Sequence, residues 1–346
     1  MLEPMIKFSC DYMEVAHPAI LKRLQEIALE KNDGYGLDDY SRSAATKIRR
    51  ACHASDDTEV HFLVGGTQTN AVVLAALLMP WEGVLAAASG HINVHEAGAI
   101  EAGGHKVMTA PSRDGKVDAA ALGTLLRDMQ QERDTVGHEH YVEPRVLYIS
   151  QSTETGTVYS LTELEALRRV CDEWGLWLYM DGARMAYALA ASDVTLPDVA
   201  RLCHVFYIGG TKCGAMMGEA VVVPCRRLTI NRGLIKRSGA MLAKGWLLGV
   251  QFDVLFTGRL YEQLGRNAVE QAMRLRQGLI AKGYRMMGAS PTNQQFVVME
   301  NARLTALSRS VQADVIAPAD DAHTIVRFAT SWATTARQVD ELLALL

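Results

Sequence analysis

The sequence predicts an α/β protein with a mostly parallel sheet covered by helices, followed by a smaller α+β region. Three observations carry this. Short apolar runs alternate with longer amphipathic stretches from about residue 58, several runs are apolar throughout, and the rhythm changes after Pro224. A strand without alternation is one buried on both faces, as a helix-covered parallel sheet requires. Strands are expected at 59–64, 84–88, 105–109, 145–150, 176–180, 205–208 and 220–223. Helices are expected between them at 67–79, 93–102, 119–131, 161–174 and 184–190. Ser160 and Thr162 each stand three positions before a glutamate, so two overlapping capping boxes fit the start of the fourth helix, and Gly175 stops it. The polar segment 132–144, with His138, Glu139 and His140, reads as an exposed loop. Beyond Pro224 a basic stretch (Arg226, Arg227, Arg232, Lys236, Arg237) leads into a long helical region, 239–282, interrupted near Gly258 and Gly265. Strands near 296–299 and 324–329 and a last helix from about Thr335 complete the chain. The expected division is a large domain over 15–240 and a small one over 241–346 with 1–14.

Composition narrows the function. Hydrophobic residues make up 49%, enough for a large core, and 35 basic against 39 acidic residues give a net charge of -4, which argues against nucleic acid as a partner. The longest apolar run, 71–79, ends at Pro80, far short of the roughly 20 residues that span a bilayer. The N-terminus carries Glu3 and Asp11 and lacks the apolar core of a secretory signal, so a cytoplasmic protein is expected. The six cysteines are dispersed with no C-x-x-C pair, consistent with reduced thiols.

In an open parallel sheet, ligands bind beyond the carboxyl ends of the strands. The first strand exits into Gly65, Gly66, Thr67 and Gln68 and then a helix, which fits either a phosphate cup or a tight turn with a threonine cap. It is neither G-x-G-x-x-G nor a Walker loop. Another strand exits at Asp181, which either caps the next helix or faces a cationic partner. A third exits at Gly209, Gly210, Thr211 and Lys212, among small and apolar residues with no acid nearer than Glu219. Such a lysine is either solvated or, if buried, a nucleophilic amine of lowered pKa. Together, an anion cup, an aspartate and a lysine at successive strand exits match what pyridoxal 5'-phosphate needs: a phosphate site, a pyridinium partner and a Schiff-base amine.

The sequence resembles the threonine aldolase branch of the fold type I pyridoxal-phosphate enzymes, the beta-eliminating lyase/threonine aldolase family. The resemblance rests on DYMEVAHPAIL (11–21), GYGLDDY (34–40), VGGTQTNA (64–71), GHINVHEAGAIE (90–101), YISQSTETGTVYSL (148–161), MDGARMAYAL (180–189), YIGGTKCGAMMGEA (207–220) and VRFATSW (326–332). It implies that Lys212 holds the cofactor, that Asp181 pairs with its ring nitrogen, and that Gly66, Thr67 and Gln68 grip its phosphate. It further implies that His91 stacks on the ring, that Arg184 lies in the cofactor site, and that Arg184 and Arg327 take the substrate carboxylate. Arg327 also falls in an expected strand with Ile325 and Ala329 on its face, where an anion should meet it, either the substrate or a structural ion-pair partner. The implied reaction cleaves L-threonine, L-allo-threonine or a related beta-hydroxy amino acid to glycine and an aldehyde, with His91 or a phosphate-bound water as base. Where family members often carry serine before the N-terminal aspartate, this chain has Cys10 as the candidate substrate contact. Where another branch has histidine, it has Glu154. The resemblance also implies a homodimer or homotetramer with shared active sites, in which Arg237 or Lys236 reaches a neighbour's phosphate.

Two other chemistries share parts of these signals. A beta-eliminating lyase or racemase would use the same cofactor residues. A metal-dependent hydrolase would need a third ligand beside His91 and His95, and Glu96 follows that pair rather than lying within it as in H-E-x-x-H. No metal is expected.

Overall fold

The computed structural model describes residues 5–346, so Glu3 and the first residues of segment 1–14 lie outside the described part. Seven strands form the central sheet: β1 (Glu59–Leu63), β2 (Glu82–Ala87), β3 (Val107–Ala110), β4 (Glu143–Ser150), β5 (Trp177–Asp181), β6 (Val205–Gly209) and β7 (Glu219–Val223). Their spatial order is β1-β7-β6-β5-β4-β2-β3. The pairs from β6 to β3 are parallel, while β7 runs antiparallel to both β1 and β6.

Each central strand buries both faces because alternate residues enter different cores. Leu147, Ile149, Leu178, Met180, Phe206 and Ile208 pack on one side of the sheet. Val146, Tyr148, Tyr179, Val205 and Tyr207 pack on the other, with Val72, Val73 and Leu77 of the helix Gly66–Leu77. Tyr148 and Tyr179 are register partners, as are Ser150 and Asp181 two residues on. The same two-residue period therefore carries Asp181 onto the tyrosine face.

A second sheet contains β8 (Arg285–Met286), β9 (Gln294–Glu300), β10 (Asp314–Pro318) and β11 (His323–Ala329), all antiparallel in the order β8-β9-β11-β10. Val297, Val326 and Phe328 pack there against Leu275 and Leu279 of the helix Leu260–Ala281 and Val339 and Leu342 of the helix Ala336–Leu345.

The structure departs from the sequence expectations in several places. The helix expected over 93–102 is two short turns, His91–Val94 and Ala99–Ala102, parted by left-handed Ala97 (φ 51°) and Gly98 (φ 72°). The long helical region is Trp246–Leu255 and Leu260–Ala281, broken at Gly258 and Arg259, both with positive φ. Gly265 does not interrupt the second of these helices. It is a close approach, because a Cβ there would come within 2.3 Å of the Ala186 carbonyl oxygen. The helix capped by Asp118 runs on to Val136, into the expected loop. Of the two possible capping boxes, Ser160 with Glu163 forms, and Thr162 lies inside the helix. Among the described residues no helix is long and apolar enough to cross a membrane.

Candidate active site

Asp181, the last residue of β5, is 5% exposed and held by four donors. Tyr148 and Asn70 donate to Oδ2 at 2.6 and 3.1 Å, and Tyr207 and the Ala183 N–H donate to Oδ1 at 2.5 and 2.9 Å. Burial alone would raise its pKa. The hydrogen bonds from Tyr148, Tyr207 and Ala183 and the charge of His91 outweigh that and hold the carboxyl below its ordinary value. The next helix, Met185–Ala190, has Arg184 at its N-cap with no side-chain cap bond, so Asp181 is not its cap. Asn70 is fixed by Tyr179, which donates to its Oδ1 at 2.8 Å, and Asn70 donates to Glu96 at 2.7 Å. Glu96 Oε1 lies 2.7 Å from His91 Nδ1, so one polar chain joins His91 to Asp181.

Lys212 follows the end of β6 by three residues and lines a cavity of about 350 Å³ with Gly66, Thr67, His91, Asp181 and Arg184. Burial lowers its pKa, and Arg184 adds to the shift against the opposing charges of Asp11, Asp181 and Glu219. Its Nζ stands 6.0 Å from the centroid of the Tyr12 ring. At the exit of β1, Gly65 is the N-cap of the helix Gly66–Leu77 and makes no side-chain cap bond. Thr67 is therefore not the cap, and the first N–H groups of the helix stay open to an anion. Ser152 also lines the cavity, and its buried hydroxyl has no partner. An uncapped helix start, a lysine and an ionised carboxylate around one cavity fit a group that carries a phosphate, a carbonyl carbon and a basic ring nitrogen.

The remaining candidates sit differently. Arg184 donates through Nε and Nη2 to Asp11 at 2.7 and 3.1 Å, and Asp11 also accepts from Asn293 at 2.9 Å. Arg327 on β11 stands opposite Asp314 of β10, to which it donates at 2.7 Å, and it donates to Gln294 at 2.9 Å. The anion facing Arg327 across the sheet is thus Asp314. Gln68 accepts from the Val64 N–H and donates to the Ser238 carbonyl, Arg237 is exposed, and Cys10 has intermediate exposure. Cys10, Gln68, Arg237 and Arg327 do not line the cavity. The His91 and His95 rings lie 5.5 Å apart, and among the described residues no three His, Cys, Asp or Glu side chains are grouped to hold a metal.

Asp11 anchors the N-terminal segment to the site. Its carboxyl is fully buried, and despite that burial the charges of Arg184 and Lys212 and the bonds from Arg184 and Asn293 hold its pKa below 3.8. Asp11→Ala leaves the Arg184 guanidinium buried without its partner and is expected to cost about 3–5 kcal/mol, measured by urea unfolding at pH 7. A carboxyl with a depressed folded-state pKa stabilises fully above its unfolded value and loses that contribution as pH falls through the folded value. The gap between wild type and variant should therefore narrow below about pH 4.

Sequence reasoning missed Tyr148, Tyr207, Asn70 and Glu219 as site residues. The tyrosines were hidden inside apolar runs, although counting by two from Asp181 reaches Tyr179 on the same face.

A lysine and a charge-stabilised aspartate at adjacent strand ends of a seven-stranded α/β sheet make this cavity the candidate active site of an enzyme built on the tips of the sheet. The chain belongs to the beta-eliminating lyase family, whose model it matches over residues 8–326. The low specificity L-threonine aldolase of Pseudomonas sp. (strain NCIMB 10558) is 30% identical over 318 residues, covering 90% of this chain and 88% of that relative. A solved structure of Leishmania major threonine aldolase is 41% identical, with a TM-score of 0.93 over 99% of this chain and 98% of that one. A mutant Thermus thermophilus aspartate aminotransferase, 18% identical with a TM-score of 0.70 over 99% of this chain and 90% of its own, shares the fold. The expectation of a fold type I architecture is borne out.

Proposed function

We propose that this chain is a pyridoxal 5'-phosphate-dependent aldolase that cleaves L-threonine and related beta-hydroxy amino acids to glycine and an aldehyde. The observation that carries the reading is the pairing of Lys212 with ionised Asp181 around one cavity, in a chain similar over nearly its whole length to threonine aldolases. When bound, the cofactor would supply the electron sink for the pair left by Cα–Cβ cleavage.

The chain's own residues divide the remaining work. Lys212 would hold the cofactor's carbonyl carbon, and the open N–H groups at Gly66 to Gln68 with the Thr67 hydroxyl would hold its phosphate. Asp181, kept ionised by Tyr148 and Tyr207, would hold a proton on the ring nitrogen. His91, oriented by Glu96, would cover the ring face. Arg184 keeps Nη1 clear of Asp11 and would present it to the substrate carboxylate, whose grip sets the bond to be broken. Arg327 and Cys10 stand outside the cavity lining, so in this reading they reach the substrate end only when Arg327 exchanges Asp314 for the substrate carboxylate. His91 would take the beta-hydroxyl proton as the aldehyde leaves. Glu154 lies beside it, accepting the His91 backbone N–H at 3.1 Å and the Ser150 hydroxyl at 2.7 Å, and burial raises its pKa. Exposed Arg237 suits a contact to a neighbour's phosphate in a cytoplasmic homo-oligomer.

Purified protein supplied with pyridoxal phosphate and L-threonine is expected to release acetaldehyde and glycine in equal amounts. Release of 2-oxobutyrate and ammonia would replace this reading with beta-elimination, and accumulation of D-allo-threonine, the Cα epimer of the substrate, would replace it with racemisation at Cα.

A further inference from the structure

Glu219 opens β7 with a buried carboxyl that the reading above leaves without a role. It is 3% exposed, and it lines the same cavity as Lys212 and Asp181. Its Oε2 accepts the Gly210 N–H at 3.0 Å and its Oε1 accepts the Thr211 hydroxyl at 2.8 Å. Thr211 Oγ1 in turn accepts the Gly218 N–H at 3.0 Å. The carboxyl thus grips the two residues immediately before Lys212 and ties them to the residue before itself. The loop is also closely packed, since a Cβ on Gly210 would stand 2.6 Å from the Gly218 carbonyl oxygen.

Every hydrogen bond to this carboxyl comes from a neutral donor, and the cation facing it across the cavity is the Lys212 amine. Burial pushes Glu219 up to about 8, against the opposing pull of the Thr211 bond and the Lys212 charge. The other titratable groups facing it are Asp181 and Tyr179 from β5, Tyr207 from β6, Cys213 from the lysine loop and Tyr261 from the helix Leu260–Ala281. Asp11 and Arg184 act on Lys212 from the opposite side. A buried acid and a buried amine in this arrangement titrate as a coupled pair.

We propose that Glu219 is a positioning residue for Lys212: it fixes the loop that aims the lysine, and its own ionisation sets how readily the lysine nitrogen holds a proton. As a neutral acid it withdraws one stabilising anion from that nitrogen, which then gives up its proton more readily. Once ionised it favours the charged nitrogen. The proposal rests on Lys212 as the cofactor-bearing residue.

The test is an absorbance titration of the bound cofactor in the holoenzyme from pH 5 to 10, for wild type, Glu219→Gln, Glu219→Asp and Thr211→Val. In the wild type the titration should be broad, because ionisation of Glu219 pulls the lysine nitrogen's midpoint upward. In Glu219→Gln it should sharpen to a single group with its midpoint lower by about half a unit or more, roughly a threefold change in proton affinity. Glu219→Asp should restore the broad curve in part, and it carries the test if the glutamine variant does not fold. Thr211→Val, which loses the hydroxyl and keeps the carboxyl, should lower Tm and stay broad. Superimposable wild-type and glutamine curves would overturn the proposal alone, as would a Thr211→Val curve sharpened like the glutamine one. A wild-type protein that takes up no cofactor would instead overturn the functional reading beneath it.

Discussion

Lys212→Ala is expected to reduce threonine cleavage on the order of 10⁴-fold or more, to the level of the uncatalysed background, with no visible band retained after gel filtration with pyridoxal phosphate. The size of the effect follows from the cavity. Lys212 is the amine that lines it, and burial with the nearby Arg184 charge keeps that amine ready to lose its proton. Among the described residues no other lysine lines the cavity to substitute. The same burial makes the loss specific to chemistry, because removing an amine from a desolvated site does not destabilise the fold as removing a core hydrophobe does. Urea unfolding of the cofactor-free variant should therefore match that of cofactor-free wild type, while its turnover is lost. A variant that unfolds early would show that the lysine supports the loop rather than the reaction.

Asp181→Asn carries the second largest expected effect, on the order of 10³-fold in kcat, comparable to deleting a preorganised charge contact in a water-excluded site. The substitution preserves shape and removes charge. Tyr148 and Tyr207 each donate to one carboxylate oxygen, and an amide offers only one acceptor, so one hydroxyl must turn away. What is lost is the anion that would keep a ring nitrogen protonated, and with it the capacity to store an electron pair. The kcat of wild type should hold down to about pH 4 as far as this group is concerned, because hydrogen bonding keeps Asp181 ionised below its ordinary value. A glutamine at position 70 in place of Asn70 is a milder probe of the same network and should leave kcat closer to wild type.

The large sheet was legible because its strands are apolar on both faces and end at glycine or polar clusters. Every expected strand of it lies within two residues of an observed one, from Glu59–Leu63 to Glu219–Val223. The lysine and the aspartate were legible for the same reason, since each stands where an apolar run stops. What the residues did not reveal is long-range. Asn70 and Glu96 meet across 26 positions of sequence, next to a break at Ala97 and Gly98, and neither the contact nor a left-handed alanine leaves a mark in hydrophobic periodicity. The helix Asp39–Ala51 is mostly polar, with Ala44, Ala45 and Ile48 buried along one stripe, so its apolar signal was too thin to read, and the helix Pro18–Glu26 is only nine residues long with Ile20 alone buried. Arg327 was read correctly as needing an anion in its strand, but the strand Asp314–Pro318 that supplies Asp314 was not foreseen, because its residues Val315 and Ile316 are exposed and its pairing carries a bulge.

The most direct test is to load the protein with pyridoxal 5'-phosphate, reduce it with borohydride, digest it and locate the added mass by peptide sequencing. One modified peptide is expected, bearing the label on Lys212 alone. A label on another lysine, or none on a protein that has visibly bound the cofactor, would contradict the assignment of the amine on which the whole site depends.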